Sequence, residues 1–225
     1  MKRESRKAKA ALAAAIIATL LGLSACSLSD PGSGTNTLGV EAKLTYRSSE
    51  NLSRVTVVVR NKTGNLVKNA DVGLQTETGK IIRIPSDPYS PGYYRETIEG
   101  YENLLTLIVK RGEDDYLEAT LEGPGRHVIV SPYNDYVLDS QKQPTLLAKW
   151  KEEGGGEVTG VQIRTRLFVE RFNDDVNSVR LGIERLKRGR ELIEVERENS
   201  IDLEGGLPGS IFTIKYISSN NFTVD

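Results

Sequence analysis

From residue 38 onward, apolar and polar positions alternate. Val55, Val57 and Val59 are interleaved with Thr56, Val58 and Arg60. Leu105, Leu107 and Val109 alternate with Thr106, Ile108 and Lys110, and Leu117, Ala119 and Leu121 with Glu118, Thr120 and Glu122. A period of two marks half-buried strands, because successive side chains point to opposite faces of a sheet. Turn chemistry separates these runs: Asn61 to Asn65, Thr78-Gly79, Pro91-Gly92, Arg111 to Asp115 and Gly123-Pro124-Gly125. Glycine supplies positive φ there, proline presets φ, and Asn or Asp bonds its own backbone. Short strands with frequent turns predict an all-β chain built from sandwiches.

The second half has the same texture. Val161, Ile163, Thr165, Leu167 and Val169 line one face of a single long strand in this reading. Val179, Leu181 and Ile183 line another, and Ile193 with Val195, then Phe212, Ile214 and Tyr216, supply two more. Helix formers between Ile183 and Gly189 predict one helical turn, stopped by Gly189. Lys151 to Gly160, with three consecutive glycines, reads as a loose hairpin loop. Ser131-Pro132 looks like the end of one sandwich running into the start of the next. The expected division is therefore residues 38–130 and 131–225, two tandem sandwiches.

The first 25 residues break the pattern. A basic start (Lys2, Arg3, Arg6, Lys7, Lys9) precedes the apolar run Ala10 to Leu23. That is the layout of a secretory signal, and the run is too short for a membrane span, which needs about 20 residues. It ends in Leu23-Ser24-Ala25-Cys26, and Cys26 is the only cysteine. This ending resembles the lipobox of bacterial lipoproteins. The resemblance implies cleavage before Cys26, acylation of its sulfur, and a lipid-anchored protein of the bacterial cell envelope. With Ser rather than Asp at position 27, the outer membrane is favoured if the cell has two. Residues 26–37 are small and polar and read as a flexible tether, with a reach of about 20 Å.

Two further resemblances concern the sandwiches. Val67 to Leu74 (VKNADVGL), followed by Ser90-Pro91-Gly92-Tyr93-Tyr94, resembles carboxypeptidase-regulatory-like and related immunoglobulin-like domains. Ser131-Pro132 with Trp150 on an early strand is similar to immunoglobulin-like or fibronectin-III-like domains, without the cysteine pair of true immunoglobulins. Both imply a fold and no catalytic residues.

Charge and composition narrow the chemistry. The leader holds five of the 30 basic residues and one of the 31 acidic ones, leaving 25 against 30 in the mature chain. A mild negative balance does not suit nucleic acid. Once Cys26 is acylated no thiol remains for a disulfide, so each core must hold by burial alone. His127 is the only histidine, which excludes a multi-histidine zinc site. It reads as an ordinary strand-edge residue. No phosphate loop precedes a helix, and the adjacent acids Asp114-Asp115 and Glu152-Glu153 lie in turns. No catalytic residue and no cofactor are expected.

Three patches remain. Asn173, Asp174, Asp175 and Asn177 gather oxygens in one turn, a set that calcium could use and that hairpin turns select anyway. Arg185, Lys187, Arg188 and Arg190 form a basic turn answered by nearby glutamates, as on a solvated face. Tyr89, Tyr93, Tyr94 and Tyr101 cluster in a Pro- and Gly-rich stretch. There Tyr89 and Tyr93 are the candidate ligand anchors, whereas Tyr94 suits a sheet corner with its hydroxyl on the backbone. The expected role is structural, adhesive or ligand-presenting, with the membrane, an envelope protein or a glycan as partner. An accessory subunit of an envelope assembly or transport machine is the alternative, and an enzyme of unrecognised type the second.

Overall fold

A computed structural model describes residues 28–225. The leader, Cys26 and the start of the expected tether lie outside them. The described chain is all-β, and its one helical segment is the 3-10 turn Ile183–Arg185. That turn falls where helix formers gather, but covers only the first three of those residues.

The first eight strands are β1 (Asp30–Gly34), β2 (Leu38–Arg47), β3 (Leu52–Asn61), β4 (Asp71–Thr76), β5 (Ile81–Arg83), β6 (Tyr93–Glu99), β7 (Leu104–Arg111) and β8 (Asp115–Glu122). The second eight are β9 (Arg126–Ser131), β10 (Tyr136–Leu138), β11 (Thr145–Glu153), β12 (Gly160–Arg164), β13 (Val169–Phe172), β14 (Ser178–Gly182), β15 (Gly189–Asp202) and β16 (Ile211–Val224). They form a five-stranded sheet β1-β8-β7-β4-β5, a three-stranded sheet β14-β11-β9, and one long sheet β13-β12-β15-β16-β2-β3-β6 with β10 parallel to the end of β16.

The long sheet is the backing layer of both sandwiches. The five-stranded sheet closes the first core, where Val57, Val59, Leu74, Leu107 and Leu121 are buried together. The three-stranded sheet closes the second, where Trp150, Ile163, Leu181, Val195 and Phe222 meet. In the second half, strands β9, β11 and β14 face β13, β12, β15 and β16, the two-sheet order of an immunoglobulin-like sandwich. The period-two positions at 55–59, 105–109 and 117–121 all point into the first core.

Strands β15 and β16 are paired over fourteen residues each. At about 3.3 Å per residue they run some 45 Å, longer than one sandwich needs. Their outer ends belong to the second core, through Ile193, Val195, Phe222 and Val224. Their tip crosses into the first, where Leu203, Phe212, Ile214 and Tyr216 are buried. There β16 pairs in parallel with β2, Ile211 opposite Glu41 through Ile217 opposite Arg47. A division at residue 130 assigned these residues to the second sandwich; the first core takes them because the hairpin outruns its own sandwich.

Three local readings also change. The expected tether contains β1, antiparallel to β8 from Asp30 opposite Thr120 to Gly34 opposite Leu117. Its glycines serve close approach: a side chain on Gly32 would strike the backbone of Glu118 and Ala119. The long strand expected over 161–169 is a hairpin, with β13 folding back so that Val161 faces Phe172. The amide of Thr165 donates to Phe168 O at 2.8 Å and its hydroxyl donates to Arg185 O at 2.9 Å, which closes the turn. The loop with three glycines packs under the linker, since a Cβ on Gly156 would collide with Gly123 and Gly125.

The linker 123–125 is clamped from several sides. Tyr101 OH donates to Pro124 O at 2.6 Å, and Asn199 Nδ2 to Glu122 O at 2.8 Å. Buried Arg197 reaches Gly125 O with Nη1 at 3.4 Å. The rings of Tyr46, Tyr101 and Tyr216 pack within 5.2 Å of one another, and His127 adds its ring 4.9 Å from Tyr216. Backbone polar groups that leave the ladders here are met by side chains, as burial demands.

Candidate binding surface

The four clustered tyrosines divide. Tyr94 is buried; its hydroxyl donates to Val67 O at 2.9 Å and accepts from Ala70 N at 2.8 Å. Burial raises its pKa. Tyr101 belongs to the waist between the sandwiches, where burial pushes its hydroxyl well above the usual tyrosine range. Tyr89 is 95% exposed at a turn whose amides bond Asp87. Tyr93 is half-buried, with the Arg95 guanidinium 5.4 Å from its ring centre. Tyr89 and Tyr93 are thus the two outward members of the group.

The oxygen-rich turn is differently employed. Both carboxylate oxygens of Asp175 accept from Arg197 Nη2, at 3.1 and 3.0 Å, and Glu152 joins the same nitrogen at 2.9 Å. The backbone carbonyls of Asp174 and Asn177 accept from Val176 and Trp150. Asp175 therefore faces a cation supplied by the chain itself. Among the described residues no group of three or more acidic, His or Cys side chains is arranged for a metal.

His127 lies on β9, an edge strand of the three-stranded sheet, and its side chain is fully buried. Nε2 lies 3.0 Å from Val195 O, and a carbonyl accepts only, so the proton sits on Nε2; Nδ1 has no partner among the described residues. Burial holds its pKa down at about 4; the Arg197 charge adds to this and the Val195 bond opposes it. In the basic turn, Arg185 is engaged by Glu170 and lies over the Phe168 ring.

The surface that stands out is the outer face of β9, β11 and β14. Val128 and Val130 project from β9 and Leu147 from β11, each more than two-fifths exposed. Beside them lie Lys149, Lys151 and Arg180, exposed and without ion pairs among the described residues. Register fixes the pattern: Leu147 faces Arg180, and Lys151 faces Val128. The connection from β9 to β10 adds Tyr133, 61% exposed, whose ring meets Tyr136 edge-on at 5.2 Å. These tyrosines border a groove of about 310 Å³ with Ser131, Gln143, Leu147 and Arg180.

Alternation alone did not single this face out, but the sequence carried a signal. Val128-Ile129-Val130 and Leu146-Leu147 are apolar on both faces of their strands. The facing sheet covers only Ile129 and Leu146, so the others are left in solvent. Apolar side chains gathered on one outer face mark an interaction site more often than scattered ones do.

No family model matches the chain, and no curated protein matches its sequence. Solved structures similar to it include the fibronectin(III)-like modules of Clostridium thermocellum CbhA, at 13% identity and TM-score 0.28, over 80% of this chain and 92% of that one. The Yersinia pseudotuberculosis adhesin InvE is similar at 12% identity and TM-score 0.28, over 83% of this chain and 61% of that one. DIP-gamma IG1+IG2 is similar at 13% and 0.26, over 83% and 97%. Likenesses this distant do not define the fold; the strand order does.

Proposed function

We propose that the chain is a lipid-anchored cell-envelope protein that presents a rigid double sandwich and binds an envelope ligand through the outer face of β9, β11 and β14. One observation carries the binding role: apolar Val128, Val130 and Leu147 lie exposed on one face, beside Lys149, Lys151 and Arg180, which form no ion pair among the described residues. An apolar centre with a charged rim is the usual anatomy of an interface. The strands that carry this face are held in register by their neighbours, β11 pairing with both β9 and β14. The reading is one of presentation rather than catalysis.

Anchorage rests on the lipobox-like ending at Cys26. Only three residues separate Cys26 from β1, so the link spans at most about 14 Å. Ser29 Oγ accepts from Glu122 N at 3.1 Å, beside the linker between the sandwiches. An acyl group on Cys26 would therefore hold the molecule by its waist, with little freedom to turn.

The test uses the mature chain without acyl groups and isolated envelopes. Saturable binding that falls at least about tenfold in Leu147→Asp, with unchanged melting, supports the reading. Equal binding by this variant overturns it.

A further inference from the structure

We propose that the groove bordered by Tyr133, Tyr136 and Arg180 binds a carboxylated pyranose, the acidic sugar unit of a polysaccharide. The inference rests on the binding-face reading above and names its ligand.

The backbone around the groove is already occupied. Asn220 Nδ2 donates to both Ile129 O and Pro132 O at 3.0 Å, Ser131 Oγ donates to Leu147 O at 2.7 Å, and Tyr136 N donates to Tyr133 O at 3.2 Å. An extended peptide here finds few main-chain partners, and such ladders carry most of the affinity when strands are added to a sheet. Recognition falls to side chains.

Those side chains match a sugar acid. The Tyr133 and Tyr136 rings are inclined at 70°, which makes an apolar corner for the C–H face of a pyranose. Tyr136 OH donates to Gln143 Oε1 at 2.8 Å, which turns the amide so that Nε2 remains free to donate to a hydroxyl. Arg180 lies across from Leu147 and has no ion pair among the described residues. Its planar fork suits a carboxylate held by two bonds. Asp139, on the segment after β10, is paired with Lys142 at 2.7 Å and does not neutralise it. The volume of about 310 Å³ falls at the lower end of the range for small-ligand clefts.

The experiment titrates the folded mature protein with uronic-acid oligosaccharides, neutral glucose oligosaccharides and an oligoglutamate peptide, read by NMR and calorimetry. The expected result is binding of the uronic oligomers that drops about tenfold in Arg180→Gln. Tyr133→Ala should weaken them about fivefold, and melting should be unchanged in both variants. Neutral oligomers and the peptide should bind at least about tenfold more weakly. Uronates of different parent sugars, run side by side, separate the polysaccharide sources. No binding of any saccharide at millimolar concentration overturns the proposal, as does equal binding of neutral sugar or of the peptide. If the sugars fail while Leu147→Asp still abolishes envelope binding, the ligand class is wrong and the binding face stands.

Discussion

Arg197 Nη2 lies within 3.1 Å of both carboxylate oxygens of Asp175, so a guanidinium buried between the sandwiches takes the turn that oxygen count alone offered to calcium. Glu152 completes the pair of anions. Both acids are partly exposed, whereas Arg197 is not. Removing the acids therefore strands a charge out of water, and removing the arginine does not.

The double change Glu152→Gln with Asp175→Asn should cost about 3 kcal/mol of stability in a denaturant titration. Arg197→Met, which also removes the buried charge, should cost clearly less. Calcium should leave the melting temperature where it is. A specific site at 100 times its Kd would add about 2.7 kcal/mol and raise melting by several degrees.

His127 should make stability depend on pH. Its folded pKa of about 4 lies below the unfolded value of about 6.5. The neutral ring is favoured by folding, so its contribution is full above about 6.5 and is lost as pH falls toward about 4. The amount at stake is about 3 kcal/mol. His127→Gln should therefore show a shallower fall in stability over that interval than the parent. Parallel curves for the two proteins would contradict the assignment.

Phe212 should matter to the first core although it lies near the end of the chain. It is 1% exposed and clusters with strands β2, β3 and β7. Phe212→Ala should cost about 3–5 kcal/mol. A fragment of residues 38–130 lacks Phe212, Ile214 and β1, and leaves the β2 edge unpaired. It should show no cooperative melt near that of residues 28–225. A melt within a few degrees would mean that the first core closes without the hairpin tip.

These particulars show what alternation could and could not reveal. Val55, Val57 and Val59, or Leu117, Ala119 and Leu121, announce strands because one face is buried and the other is wet. The crossing of β16 into the first sandwich is silent, since Phe212, Ile214 and Tyr216 alternate the same way whichever core receives them. Composition misled at Gly32 and Gly34, where small residues read as a tether but permit close packing on β8. Tyr133 was hidden for a simpler reason: a lone aromatic beside a proline carries no period, and its partner Tyr136 is brought to it by a turn.

Cys26→Ala should leave an uncut or mislocalised precursor that takes up no labelled palmitate. Because β1 starts so close to Cys26, inserting a flexible segment after Ser27 should raise the rotational freedom of the anchored protein, measured by fluorescence anisotropy on membranes. Normal labelling and membrane partition of the alanine variant would reject the anchor.

The most direct test of the proposed binding face places a photo-reactive amino acid at position 147 of the full chain in living cells, with exposed position 97 on β6 as the control. A discrete adduct is expected from position 147, none from position 97, and the adduct should be lost when Lys149 and Arg180 are both changed to glutamate. No adduct at 147, or the same adducts from both positions, would contradict it.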